Sequence, residues 1–225
     1  MIRTSPLYDS LRRLDPTWGE LNGMATARNL ATRASAALQL ADLSALRRTG
    51  LKGSAAVSWL QSRNVPVPSH ANTWTSLNGG GLVARLGRSE FLLEDGPQGA
   101  VVSGVVADLA TPASDVYPVL RQDAALIIRG EAVHELLAQT CSIDVAAVPA
   151  HAHVVTLTML AGIAVTLIDD SDAHPLPCYR LWCDGTYGIY LWDTLLEIAV
   201  ELGGGAVGFD TIYPDARRNA ATNES

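Results

Sequence analysis

Apolar and polar positions alternate in short runs along this chain, then spread out to helical spacing, and the two patterns take turns. Leu38, Leu40 and Leu43 mark a strand, and Arg47–Leu51 marks a second. Ser54 then opens a helix to about Arg63, with its hydroxyl placed as an N-cap. Val65–His70 reads as an extended linker, because Pro66 and Pro68 forbid helix. After Asn78-Gly79-Gly80-Gly81, Leu82–Leu86 and Glu90–Glu94 form a hairpin about Gly87-Arg88-Ser89. Gln98–Leu109 has helical spacing. Val116–Arg121 and Ala124–Arg129 read as a strand pair, and Glu131–Thr140 as a helix. His153–Met159 and Ile163–Asp169 alternate as a hairpin about Ala161-Gly162, and Cys178–Cys183 is a strand. Asp184 caps a last helix that stops at Gly203-Gly204-Gly205, and Ala206–Ile212 reads as a final strand.

The sum is an α+β protein of strand–strand–helix units, with antiparallel sheets covered by helices. The expected organisation is serial: an N-terminal arm over 1–35 with one short helix, a first unit over 36–122, a second over 123–213, and a flexible tail over 214–225.

Two features stand out. One short grammar recurs: Leu51-Lys52-Gly53-Ser54-Ala55-Ala56 is echoed by Ile128-Arg129-Gly130-Glu131-Ala132-Val133, with the two glycines 77 positions apart. In each, Gly stands where a strand gives way to its covering helix. The last helix, in turn, is apolar on two stripes, Leu191/Leu195/Ile198/Leu202 and Trp192/Leu196/Val200. Its charge is confined to Asp193, Glu197 and Glu201. Such a helix must be buried on two faces, by a second layer of the same chain or by a partner.

Composition narrows the function. With 225 residues, 48% of them hydrophobic, the chain can bury a core. A net charge of −7 argues against general nucleic-acid binding, which depends on Lys and Arg to neutralise phosphates. The charge is uneven: residues 1–50 carry seven Arg against four acids, and the acidic excess lies beyond them. Three cysteines make no disulfide framework and point to a reducing compartment. No signal-like segment opens the chain. Its longest apolar run, Val154–Ile168, is broken by three Thr and one Gly and is shorter than the roughly 20 residues that span a bilayer. A cytoplasmic protein without membrane association is expected.

The candidate chemistry is sparse. His151 and His153 lie on one face of a strand, with Asp169, Asp170, His174, Cys178 and Cys183 near in sequence. No pair has C-x-x-C or H-x₃₋₅-H spacing, so these read as loop histidines rather than ligands. Cys141 follows the helix Glu131–Thr140, and His134, seven residues earlier, lies on the polar side shared with Glu131 and Glu135, so Cys141 reads as a small core hydrophobe rather than a nucleophile. Gly79–Gly81 and Gly203–Gly205 lack both G-K-[ST] and the dinucleotide pattern, and read as turns. Asp169-Asp170-Ser171-Asp172 lacks the Gly and distal Glu of a calcium loop. No catalytic, cofactor-binding or metal residue is assigned on this chain.

Laid end to end, the units resemble a known family. Leu40-Ala41-Asp42-Leu43-Ser44, then Leu51–Ala56 and Trp59-Leu60, resemble the opening of the folate-binding fold of the glycine-cleavage T-protein, as do Gly80–Leu86 and Glu90–Leu93. A shorter relative, the gamma subunit of heterotetrameric sarcosine oxidase, is closer. Its pattern is similar to Arg121–Ala124 with Gly130, Leu136–Asp144, Ala161–Val165, Tyr179–Trp182 and Tyr190–Trp192, over roughly 36–212. The resemblance implies a companion subunit in an enzyme that oxidises sarcosine to glycine, passes the one-carbon unit to tetrahydrofolate and forms hydrogen peroxide. It implies alpha, beta and delta partners, with FAD, FMN, NAD, tetrahydrofolate and zinc held in those subunits and none here, and packing against the folate-binding part of alpha. The rival reading is a stand-alone one-carbon transferase of the T-protein class. It would need an acid to engage the pterin, for which Asp42 and Glu90 are the candidates.

Overall fold

A computed structural model describes residues 2–31, 35–148 and 152–216. The chain divides into two compact units that interleave along the sequence. One comprises Met1–Ala45, Gln122–His151 and Thr156–Ser225, and the other Leu46–Arg121 and Ala152–Val155. The serial reading had placed its units one after the other and set 1–35 apart as an arm; here the first 45 residues belong to the first unit. Strands and helices are numbered along the chain.

In the first unit, β1 (Arg3–Thr4), β2 (Pro16–Leu21) and β3 (Met24–Leu30) form a three-stranded sheet of order β1-β3-β2. β2 and β3 are an antiparallel hairpin about Asn22-Gly23, both with positive φ. Asn-Gly between strands is a strong hairpin cue, and it is what the arm reading passed over. The one short helix expected there is α1 (Tyr8–Leu11), whose Leu11 enters the core beside Leu7.

The main sheet of this unit is six-stranded, of order β11-β12-β13-β10-β4-β14. Its members are β4 (Gln39–Asp42), β10 (Ala124–Arg129), β11 (Val155–Leu160), β12 (Ile163–Asp169), β13 (Cys178–Cys183) and β14 (Gly205–Ala206). Alternation sends Ala124, Leu126 and Ile128 to one face with Tyr179, Leu181, Cys183, Val165 and Leu167. There they meet α4 (Val133–Thr140) through Leu136 and Leu137, and α5 (Gly188–Glu201) through Leu191, Trp192, Leu195 and Ala199.

The second unit has a five-stranded antiparallel sheet of order β6-β7-β8-β5-β9. It consists of β5 (Arg48–Lys52), β6 (Thr73–Leu77), β7 (Gly81–Arg85), β8 (Glu90–Glu94) and β9 (Tyr117–Val119). Leu51, Val83, Phe91 and Leu93 pack under α2 (Ala56–Gln61) and α3 (Val101–Leu109). β6 lies beyond the Pro-rich linker, where the sequence reading placed no element.

The two sheets repeat one topology, and the glycines mark it. β5 and β10 each lead through Gly to a short helix, a three-strand meander and a second helix. Gly53 has φ +135° and Gly130 φ +136°. Ala55 N–H donates to the Asp115 carbonyl at 3.2 Å, and Ala132 N–H to the Ala37 carbonyl at 2.9 Å. Those carbonyls lie where a Cβ would fall, at 2.0 Å from one on Gly53 and 2.4 Å from one on Gly130. Asp115 and Ala37 each precede the strand that pairs with the strand leading into the glycine, β9 for β5 and β4 for β10. The expected pairing of Val116–Arg121 with Ala124–Arg129 is therefore corrected: β9 joins β5, and β10 joins β4 and β13.

Three further expectations change. Ser54 is no N-cap, since α2 begins at Ala56 and the first free amides, of Ala55 and Ala56, are taken by the Asp115 and Gly53 carbonyls. Ala206–Ile212 is not a strand: pairing ends after Ala206, and α6 (Phe209–Ile212) packs on β3, with Arg28 2.8 Å from Asp210. In α5 the second apolar stripe is not uniformly covered: Trp192 is fully buried, Leu196 half-buried and Val200 60% exposed. Asp184 does cap, through Thr186 N–H at 2.8 Å, and α5 does stop at the Gly run. Gly203 is left-handed, and a Cβ on Gly204 would strike the Leu38 carbonyl that Gly205 N–H bonds to enter the sheet.

Candidate functional site

Each flagged group has a place. His151 lies outside the described residues. His153, in the second unit, stacks on Trp74 at 4.5 Å with an 11° interplanar angle. Asp170 is buried against Arg180 at 2.8 Å, with His174 at 3.6 Å. Burial alone would raise the Asp170 pKa, but the His174 hydrogen bond and the Arg180 charge outweigh it and hold it below the usual value. Asp169 accepts from the Ser171 amide and hydroxyl, closing the turn. Among the described residues, no group of three or more His, Cys, Asp or Glu is arranged to hold a metal ion.

The cysteines lack the setting of a nucleophile. Cys178 and Cys183 lie on opposite faces of β13, and burial pushes both thiols up, Cys183 to about 11 with help from Asp123 and Asp184. Cys141 sits 3.8 Å from the Thr158 hydroxyl, whereas His134 Nε2 lies 3.2 Å from the Tyr179 hydroxyl. The two pterin candidates are in different units and already engaged. Asp42 accepts from the Ser44 amide at 2.8 Å, and Glu90 pairs with Arg121 at 3.0 Å.

The feature that remains is a surface. On the first unit, the sheet face turned away from α4 and α5 carries an open groove of about 460 Å³. Leu157 and Met159 of β11 wall one side, and Trp182 of β13 stands across from them. Between lie Ala164 and Thr166 of β12, with Thr166 directly opposite Trp182 in the register. Large, small and large side chains on successive strands make a trough, because neighbouring strands are only about 4.8 Å apart. Asp123 and Asp184, flanking the paired ends of β10 and β13, also line it. Leu157 is 57% and Met159 46% exposed. The trough offers apolar contact and negative charge, with no base–nucleophile pair among its lining residues. Sequence reasoning passed over it, although the alternation of β11 with the small residues of β12 was visible.

No helix among the described residues is long and apolar enough to cross a membrane. No protein-family model matches the chain, and no curated protein matches it in sequence. Solved structures share its fold, two of them as follows. A chain of the heterotetrameric sarcosine oxidase from Corynebacterium sp. U-96, solved with pyrrole 2-carboxylate, superposes with a TM-score of 0.67 at 17% identity, over 91% of this chain and 98% of that one. The glycine cleavage system aminomethyltransferase T from Bartonella henselae gives 0.66 at 17%, over 92% of this chain and 60% of its own. The α+β, T-protein-like fold expected from the sequence is the fold observed.

Proposed function

We propose that this chain is the non-catalytic gamma subunit of a heterotetrameric, flavin-dependent sarcosine oxidase, packed against the folate-binding part of the alpha subunit in the cytoplasm. The observation that carries the reading is the reciprocity of the match. A chain of a sarcosine oxidase is covered to 98% by 91% of this one, so the two correspond nearly end to end, whereas only 60% of the aminomethyltransferase is covered. Internal bonding also supports it: Asp170, Arg180, Asp42 and Glu90 are engaged within the chain, and an open apolar face suits a companion better than a reaction chamber. In this reading, sarcosine oxidation to glycine, transfer of the one-carbon unit to tetrahydrofolate and peroxide formation take place in the partners. FAD, FMN, NAD, tetrahydrofolate and zinc reside there, in the alpha, beta and delta subunits.

The test is purification of the full chain from its native host under gentle conditions. The expected result is co-purification, at fixed stoichiometry, with a large yellow flavoprotein that oxidises sarcosine. A colourless chain recovered alone would overturn the proposal.

A further inference from the structure

We infer that Asn78-Gly79, in the turn between β6 and β7, is a site of spontaneous modification: Asn78 loses its side-chain amide through a cyclic imide, and the isoaspartyl product loosens the second unit. The inference goes beyond the oxidase reading and stands or falls without it. All the residues at the site belong to the second unit.

The chemistry needs an Asn whose side-chain carbon can be reached by the next backbone nitrogen. That nitrogen attacks Cγ, ammonia leaves, and a succinimide ring closes. Water then opens one ring carbonyl or the other, giving aspartate or isoaspartate. Gly is the most permissive next residue, because no Cβ blocks the approach. The chain has two Asn-Gly pairs, Asn22-Gly23 and Asn78-Gly79, and each turns a hairpin. The fold treats them oppositely. Asn22 is half-buried and left-handed, with φ +53°. Its side-chain amide donates to the Ala45 carbonyl at 3.0 Å, and Arg3 donates to its backbone carbonyl at 3.0 Å. Asn78 is exposed, as are Gly79 and Gly80, and its side chain has no hydrogen-bond partner among the described residues. It is free to swing onto the Gly79 nitrogen, with water at hand.

The product does not fit the turn it forms in. Leu77 and Gly81 pair across it, so only three residues make the connection. Isoaspartate routes the backbone through the former side chain, which adds a methylene to that connection and leaves a new carboxylate. The inner side of the turn has no slack. A Cβ on Gly96 would lie 1.7 Å from the Gly79 carbonyl oxygen, so main chain packs directly on main chain. Gly96 follows Asp95, whose carboxylate accepts from Val102 N–H at 3.2 Å and holds the first turn of α3. A displaced Gly79 therefore pushes on the loop that anchors α3.

The experiment ages the full chain in mildly alkaline buffer and follows both asparagines by peptide mass mapping. Isoaspartate is read separately, by methyl transfer from S-adenosylmethionine with a protein isoaspartyl methyltransferase. Asn78 should lose its amide at a rate that rises with pH, since the attacking nitrogen must shed its proton. Asn22 should react at least about fivefold more slowly, the factor that a single hydrogen bond supplies. In urea the two should react at similar rates, because the fold no longer distinguishes them. Asn78→Gln, whose longer side chain closes its ring more slowly, should remove the signal at this turn and melt as the wild type does. The isoaspartyl form, separated by its added charge, should melt below both the wild type and Asn78→Asp, which carries the charge without the methylene. A folded chain that keeps the Asn78 amide while the chain in urea loses it would overturn the site. So would equal loss at Asn22 and Asn78 in the folded chain. An isoaspartyl form that melts together with Asn78→Asp would overturn the loosening.

Discussion

Asp170 is the residue on which the sequence was most easily misread. In the chain it stands among Asp169, Ser171 and Asp172 and suggests a solvated turn or a hard-cation loop. In the fold it is 4% exposed, and Arg180 from the next strand meets it at 2.8 Å. A buried carboxylate facing a buried guanidinium is costly to separate, because either charge left alone keeps its desolvation penalty. Asp170→Asn should therefore destabilise the protein by about 3–5 kcal/mol at neutral pH. The pH dependence follows from the lowered pKa. Asp170 contributes its stability above the unfolded value of 3.8, and that contribution is lost as pH falls through the lower folded value. The wild-type advantage over Asp170→Asn should thus narrow below about pH 4. Urea titrations of both proteins across acid pH measure the gap, and a gap that stays constant down to the acid transition would show that the ion pair is not its source. No sequence pattern announces this pair. Asp170 and Arg180 are ten positions apart, joined only because β13 follows β12 in the sheet.

At the scale of elements, legibility tracked how local the cause is. Cys178–Cys183 read correctly because a short, mostly apolar run bounded by Pro and Asp marks a buried strand without outside help. The Gly-run stop of α5 was legible for the same reason. Ala206–Ile212 misled because Ala206, Val207, Phe209 and Ile212 are apolar at strand-like density, yet their burial comes from β3 and from Arg28, which lies 5.6 Å from the Phe209 ring centroid. Ser54 looked like a cap because no sequence rule reveals that a carbonyl some sixty residues away will take the amide first. The strand-to-helix glycines are where local and distant causes coincide. Gly53→Ala or Gly130→Ala would combine a positive φ with a Cβ driven into a backbone carbonyl. Each should cost on the order of 3 kcal/mol in unfolding free energy. Gly104→Ala is the control: it sits exposed within α3 with no atom within 4 Å of the new Cβ, and should stabilise by about 1 kcal/mol. Chemical denaturation of the three variants decides the matter. A loss at Gly53 or Gly130 no larger than a few tenths of a kcal/mol would mean that the pivot opens without strain.

For the molecule as a whole, the rival transferase reading turns on whether this chain binds tetrahydrofolate. The fold alone does not answer, since one fold hosts many functions and function resides in the site. Here the argument turns on what the acids are doing. A pterin is held by a carboxylate aimed into an enclosed space, and the two carboxylates proposed for that task, Asp42 and Glu90, instead close a turn and pair with Arg121. The trough that does exist is open to solvent rather than enclosed, unlike a pocket that buries most of a small ligand. Linkage turns this into a measurement. A ligand that binds only the folded state at 100 times its dissociation constant adds about 2.7 kcal/mol, and each further tenfold adds about 1.4 kcal/mol. The isolated chain titrated with tetrahydrofolate should therefore show no concentration-dependent rise in melting temperature. On the proposed reading, the same titration on a co-purified complex should raise the melting of another component. A logarithmic rise for the isolated chain would mean that it binds tetrahydrofolate itself, and would move the protein to the transferase reading.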